Sequence, residues 1–216
     1  RFANGGINFS SITNTFTAEL NSTFARNSNN LIVGVTTVRD DRDPMGDPSP
    51  YVFIKEGNVA FGSEQFSTAN VLDQNIYTVT DNFSLYRGNH TITLGTHNEI
   101  YDIRNVFIRQ NFGSYRFNSI NDFVNDSLAT QYDRSYSLVD DIAGDNTGAA
   151  ADFRAAQFSV YAQDEWQASS QFTLTFGIRF DLPVFFNQPK ADNYFNNVLS
   201  PSGVFEEQGW DLQNAK

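Results

Sequence analysis

The amino-acid sequence predicts an all-β fold, an antiparallel meander of long hairpins, from three observations. Residues 171–182, QFTLTFGIRFDL, place an apolar side chain at every second position from Phe172 to Leu182. This is the two-residue period of a β-strand, whose successive side chains point to opposite faces. A similar hairpin recurs along the chain, and short turns alternate with long connecting segments. Together these features predict strands that run up and down in series.

Composition excludes several classes of protein. The 216 residues include 25 acidic and 14 basic side chains, a net charge of -11, which argues against a nucleic-acid partner because phosphates need Lys and Arg. The chain has no cysteine, so it forms neither a disulfide framework nor a thiolate site. No apolar run approaches the roughly 20 residues of a membrane helix. The first residues, RFANGG, contain no initiator Met or signal-peptide core, so we expect a piece of a longer chain.

About six strands are predicted, in the segments 11–26, 31–40, 74–86, 91–108, 157–167 and 171–182. Three polar turns join them in pairs, at 27–30, 87–90 and 168–171. The hairpin DNFSLYRGNHTITLG resembles DEWQASSQFTLTFG, and ELNSTFARNSNNLIVG is a looser third copy. Apolar and polar residues do not alternate regularly in 31–40, so its two faces are not assigned from the sequence.

The connections are asymmetric, and this predicts a membrane barrel. Because strand direction alternates, the three short turns share one end of the sheet. Long segments near 40–73, 105–155 and 184–216 share the other. An outer-membrane β-barrel typically has short turns at one rim and long extracellular loops at the other. The predicted strands are also long enough for a tilted bilayer crossing, which takes about 9–11 residues. Trp166 and Tyr86 beside the short turns would then belong to an aromatic girdle.

On this interpretation Phe176 and its alternating neighbours face lipid, and Thr175 and Arg179 face the barrel interior. Two acids, Asp81 and Asp164, fall on the presumed lipid face, near the rim where a charge costs least. The alternative is a soluble or surface-exposed β-sandwich that serves in binding or adhesion, because one buried face gives the same alternation.

Several strings resemble one family. YAQDEWQASSQFTLTFGIRFD (161–181) looks like the strand–turn–strand signature of TonB-dependent outer-membrane receptors. Three further strings resemble the Oar-like subgroup of that family: HTITLGTHNE, RQNFGSYRFNSINDF and DDRDPMGDPSPYVFI. The similarity extends over most of residues 30–185.

The resemblance implies a barrel of about 22 strands in the bacterial outer membrane, filled by an N-terminal plug domain and energised through periplasmic TonB. Residues 1–216 would then be one segment of the barrel wall with its outer loops, used in energy-coupled uptake of an unknown extracellular ligand. The implied partners are outer-membrane lipid, the remainder of the barrel with its plug, and the TonB complex through the N-terminal part that this chain lacks.

No catalytic, cofactor-binding or metal-binding residue is predicted, and the chain is not expected to be an enzyme. His90 is predicted to be solvated in its turn, and His97 to line the polar face, since two histidines seven residues apart match no zinc spacing. The acidic segment 40–47 departs from the EF-hand pattern at Met45 and is interpreted as a solvated turn rather than an ion site. Residues 132–148 form either an ordinary loop or a weak glycan contact.

Overall fold

The computed structural model describes residues 5–137 and 148–187, which form a long six-stranded sheet and a smaller four-stranded one. In chain order the strands are β1 (Ile7–Thr23), β2 (Asn27–Pro44), β3 (Tyr51–Ile54), β4 (Val59–Phe61), β5 (Asn70–Arg87), β6 (His90–Phe107), β7 (Ser114–Phe117), β8 (Gln131–Asp133), β9 (Ala151–Ser169) and β10 (Phe172–Phe185). A helix, α1 (Ile120–Val124), follows β7, and a single 3₁₀ turn, Glu56–Asn58, precedes β4.

The six long strands, here called the wall sheet, lie in the order β1-β2-β5-β6-β9-β10, each antiparallel to its neighbour. The predicted antiparallel meander of long hairpins is confirmed. Five of the six strands are longer than predicted, and the long connections shorten to 45–69 and 108–150. The segment that was predicted as a loop near 184–216 begins with the end of β10, and its residues from 188 onward lie outside the described part of the chain.

Three short turns close the hairpins at one rim. In the second, Gly88 has a φ of 60° at the first of two central positions, where a type II′ turn needs a residue without Cβ. The third turn, at 170–171, lies within the predicted ASSQ segment.

The predicted turn at 27–30 is wrong, because these residues begin β2 and the turn lies at 24–26. The polar run NSNN is typical of turns, but here its side chains bind across strands. The Asn30 amide donates to the carbonyl of Asn21, 2.8 Å away, and to the Glu19 carboxylate.

Register gives the wall sheet two faces of opposite character. One face, here called the apolar face, carries the alternating large side chains of β10, and neighbouring strands continue it in rows such as Ala18–Val33–Val79–Asn98–Phe158–Leu182. The other, the polar face, carries rows such as Glu19–Ile32–Thr80–His97–Ser159–Asp181. Thr175 and Arg179 lie on the polar face, as predicted.

The apolar face ends where charged side chains begin. It extends on β6 from His90 to Ile100, about 11 residues, which is the length of a tilted bilayer crossing. Beyond it, toward the long connections, a charged row begins in which Arg39 and Arg104 each lie 3.7 Å from Asp73. The exposed apolar band is therefore bounded by groups that remain in water.

The two predicted girdle residues lie on opposite faces. Trp166 is on the apolar face, in register with Leu174 and His90. Tyr86 is on the polar face, where its hydroxyl lies 2.9 Å from that of Ser28. The girdle prediction for Tyr86 is wrong. The row that contains Trp166 and His90 continues on β5 at Arg87, and the neighbouring residue Tyr86 therefore points to the opposite face.

The two long connections fold together at the other rim into a small domain, here called the cap, that comprises β3, β4, β7, β8 and α1. Strand β3 of the first connection pairs in parallel with β7 of the second, and β4 and β8 extend the sheet on either side. Helix α1 begins with a capping box: Ser119 Oγ accepts from the Asp122 amide, and the Asp122 carboxylate accepts from the Ser119 amide. These segments, predicted as loops without secondary structure, hold one another in a fixed arrangement.

Exposure of the apolar face argues against the sandwich alternative. At the centre of the sheet Val79 is 42 % and Leu94 47 % exposed, so no second layer covers them within residues 5–137 and 148–187. Strands β1 and β10 are the sheet edges, each paired on one side among these residues. No helix in the described part of the chain is long and apolar enough to cross a membrane.

Arginine substitutions on the two faces test this assignment. We expect Ile178→Arg to lower the free energy of unfolding by about 2–4 kcal/mol in lipid, because it places a charge within the apolar band. Thr175→Arg lies on the polar face opposite Glu165 and is expected to cost less than about 1 kcal/mol. Urea unfolding of the full-length protein in vesicles measures both values, and equal costs would contradict the assignment.

Candidate functional site

The polar face carries several clusters of hydrogen-bonded side chains. On β10, Arg179 and Asp181 are two residues apart and share this face. Arg179 Nε lies 2.9 Å and 3.0 Å from the two carboxylate oxygens of Asp181, and its Nη2 donates to Ser159 Oγ at 2.8 Å. Ser159 and Gln157 on β9 both donate to the same carboxylate. The acid is therefore held by donors from two strands.

Tyr161 connects this cluster to the middle of the sheet. Its ring lies against Gly95 of β6, where an added Cβ would be 2.3 Å from Tyr161 Cε2. Its hydroxyl donates to the Asn82 carbonyl on β5, and the Arg179 guanidinium lies 5.6 Å from the ring centroid. Glycine at position 95 thus gives the tyrosine room to lie flat across three strands.

A second cluster lies on β5 and β6. His97 Nδ1 lies 2.7 Å from Thr80 Oγ1, and its Nε2 lies 3.6 Å from Glu99. His97 was predicted to line the polar face, and the register confirms this. A further cluster on β1 and β2 joins Glu19, Asn21 and Asn30. Such a surface suits water and polar solutes.

His90 has a different environment from the one predicted. It is the first residue of β6 and lies on the apolar face, where its Nδ1 is 2.7 Å from Asp164 Oδ2. Its ring is parallel to that of Trp166, with a centroid separation of 5.7 Å. The prediction of a merely solvated turn histidine is wrong, because the hairpin is tighter than expected and the residue pairs across to β9.

Asp81 and Asp164 both lie in apolar-face rows, as predicted, and each has a donor from a neighbouring strand. Asp164 is near the short-turn rim, in register with Ile92, but the prediction that Asp81 is near this rim is wrong, because Asp81 is in register with Thr96 in the middle of the apolar band. Asn29 Nδ2 donates to Asp81 Oδ1 at 2.7 Å, and His90 faces Asp164. A polar group in a lipid-facing row costs less when its hydrogen bonds are made within the sheet.

The cap contains an apolar cavity of about 400 Å³. Its walls are Ser49, Pro50, Val52, Phe61, Gly62, Tyr115, Phe117 and Phe123. The Phe123 ring meets Phe61 and Phe117 edge to face, with centroids 5.3 Å and 5.4 Å away. The cavity therefore lies between the two long connections, at the rim opposite the short turns.

Two further segments were singled out from the sequence, 40–47 and 132–148. The acidic segment 40–47 was interpreted as a solvated turn, but Asp40 to Pro44 continue β2, and Asp40 accepts from Ser11 Oγ at 2.6 Å. Within residues 5–137 and 148–187, no three His, Asp or Glu side chains are grouped to hold a metal ion. In the segment 132–148, Tyr132 packs on Tyr115 at 4.6 Å, and residues 138–147 lie outside the described part.

Sequence reasoning missed the cap and the connection made by Tyr161. The strings YVFI and SYRF are the only local signals for the paired strands β3 and β7, and nothing local indicates that they meet. Gly95 in a strand interior was a usable signal, since such a glycine often marks a close approach by another group.

Comparison with known proteins identifies the architecture. A family model described as outer membrane beta barrel domain matches residues 3–210, almost the whole chain. This match places the chain in the bacterial outer membrane. Comparisons with curated proteins and with solved structures found no match.

A double-mutant cycle tests the arrangement of Tyr161 over glycine. We expect Gly95→Ala to destabilise the full-length protein by about 1–3 kcal/mol, because the new methyl group displaces the ring. In the Gly95→Ala, Tyr161→Ser double variant the cost should fall short of the sum by about 1 kcal/mol or more. Urea unfolding in vesicles measures each value.

Gly34→Ala is the matched control, because its added Cβ would meet Thr78 Oγ1 at 2.6 Å and not Tyr161, so its cost should simply add to that of Tyr161→Ser. If the unfolding free energies lost in Gly95→Ala and in Tyr161→Ser add exactly in the double variant, the proposed contact between the two residues is contradicted.

Proposed function

Because the chain belongs to the outer membrane beta barrel domain family, we propose that it forms one sector of the wall and outer cover of a TonB-dependent receptor that imports an extracellular ligand. The cap is the observation that carries this proposal. A barrel that only anchors a protein in the membrane needs no folded cover, whereas a receptor needs a built surface at the rim that meets its ligand. The polar face beneath that rim would line the passage.

The open sheet supports a sector of a larger barrel. In hydrocarbon, every backbone N–H and C=O must be paired, so the free edges of β1 and β10 need neighbouring strands. Six strands are fewer than the 8 of the smallest bacterial barrels. The neighbours in this proposal are further strands of the same receptor, which also enclose its plug domain.

The proposed orientation follows from the lengths of the connections. Outer-membrane barrels have short periplasmic turns and longer extracellular loops. The turns at 24–26, 88–89 and 170–171 would therefore face the periplasm, and the cap would lie outside the cell.

Epitope tags test this orientation. We expect a tag inserted after Leu128, which is 97 % exposed in the cap, to bind antibody on intact cells. A tag inserted between Gly88 and Asn89 should bind only after the outer membrane is permeabilised. Flow cytometry on intact and permeabilised cells measures both, and labelling in the reverse pattern would invert the proposed topology.

Cross-linking tests the energy coupling. We expect formaldehyde treatment of living cells, followed by isolation of the tagged full-length protein, to recover TonB, because coupling requires direct contact in the periplasm. A porin that carries the same tag is the control and should recover none. A protein that fractionates with the outer membrane yet yields no more TonB than the porin would leave the barrel assignment standing and overturn the proposed transport.

A further inference from the structure

We propose that Arg87 and Arg26, at the short-turn rim, bind the phosphate of a glycerophospholipid headgroup in the membrane leaflet next to that rim. The inference rests on the membrane orientation of the wall sheet proposed above. It concerns the outside of the barrel, and is separate from ligand uptake.

The position of Arg87 is the first argument. It is the last residue of β5, on the apolar face, in register with His90 and through it with Trp166. The next row toward the membrane centre contains three large apolar side chains, Leu85, Ile92 and Phe176, and one acid, Asp164, which is paired with His90 of the outer row. Arg87 therefore lies one row outside the hydrocarbon, at the level where lipid phosphates are found and where Arg and Trp side chains anchor to the interface.

The hydrogen bonding of Arg87 is the second argument. Its Nη1 donates to the backbone carbonyls of Arg26, at 3.2 Å, and Tyr86, at 2.9 Å. Within the described part of the chain, its Nε and Nη2 have no acceptor. These two nitrogens form the edge of the guanidinium that binds a phosphate through two parallel hydrogen bonds.

Charge is the third argument. The Arg87 guanidinium is fixed against the backbone of Arg26, so the two exposed arginines are adjacent at the rim. Among residues 5–137 and 148–187, neither has a carboxylate within 4.0 Å. The nearby Asp164 already faces His90. Arg26 and Arg87 thus present positive charge without an acid partner in this part of the chain where the headgroups are negative, in contrast to Arg39 and Arg154 at the opposite rim, each of which lies within 4.0 Å of an aspartate.

The stacked pair of His90 and Trp166 completes the site. Its two rings are parallel and lie in the same row as Arg87 on the apolar face. Ring systems at this depth pack against the glycerol and upper acyl region of a lipid, while the charge above them binds the phosphate. A phospholipid satisfies both parts of the site, and a free phosphate ion satisfies only one.

Native mass spectrometry of the full-length protein in a non-ionic detergent tests the proposal. The probes are phosphatidylglycerol, a diacylglycerol without phosphate, and inorganic phosphate. We expect phosphatidylglycerol to bind, and the Arg26→Gln, Arg87→Gln double variant to weaken that binding about tenfold or more, because each arginine near a lipid surface contributes about 1 kcal/mol. Arg87→Lys should give an intermediate loss, since it keeps the charge and loses the two-pronged donor.

Arg109→Gln is the matched control, an exposed arginine at the long-connection end without an ion pair among the described residues. Equal binding by the double variant and wild type, or an equal loss in Arg109→Gln, would overturn the site. If inorganic phosphate competes as strongly as the phospholipid, the site binds an anion and not a lipid. Tag accessibility is a separate readout, so an inverted topology is distinguishable from a failed lipid site.

Discussion

The pairing of backbone hydrogen bonds is the constraint on which the rest of the structure depends. A strand that crosses hydrocarbon has no water to satisfy its N–H and C=O groups, so each must bind a neighbouring strand along the whole crossing. This explains why the six strands of the wall sheet contain 14 to 19 residues, well beyond the about 5–6 of globular strands. It also means that the edges β1 and β10 require partners as firmly as the interior strands do.

Pairing fixes the faces, and the faces decide how polar groups are stabilised. On the polar face Asp181 is one member of a large network that includes Arg179 and Ser159, and exchange with water is possible along it. On the apolar face, Asp81 and Asp164 have single donors from adjacent strands, Asn29 and His90. A lone carboxylate among apolar side chains is tolerated only where the sheet supplies its hydrogen bond, so each acid requires a particular cross-strand neighbour.

The sequence predicts what is local and misses what is distant. Alternation in 171–182 predicts β10 and its two faces, because the side-chain period needs no knowledge of partners. The run NSNN was misread as a turn, since Asn favours both turns and cross-strand amide pairs. The cap was missed because its central contact, Tyr51 with Ser114, joins segments more than 60 residues apart. Parallel pairing of this kind leaves no period or turn signal in either segment.

The two rims of the wall sheet show what such distant pairing adds to local structure. At one rim, turns of two or three residues fix the strand ends directly, so His90 and Trp166 meet through register alone. At the other rim, the connections are too long for register to position them, and strand β3 of the first is positioned by pairing with β7 of the second. A ligand that entered the cavity beside Phe61 and Phe123 would contact both connections at once. Because β3 pairs with β7 and Phe123 of α1 packs on Phe61 and Phe117, a change in either contact would alter the walls contributed by both connections, and the cap is one folded unit rather than two independent loops.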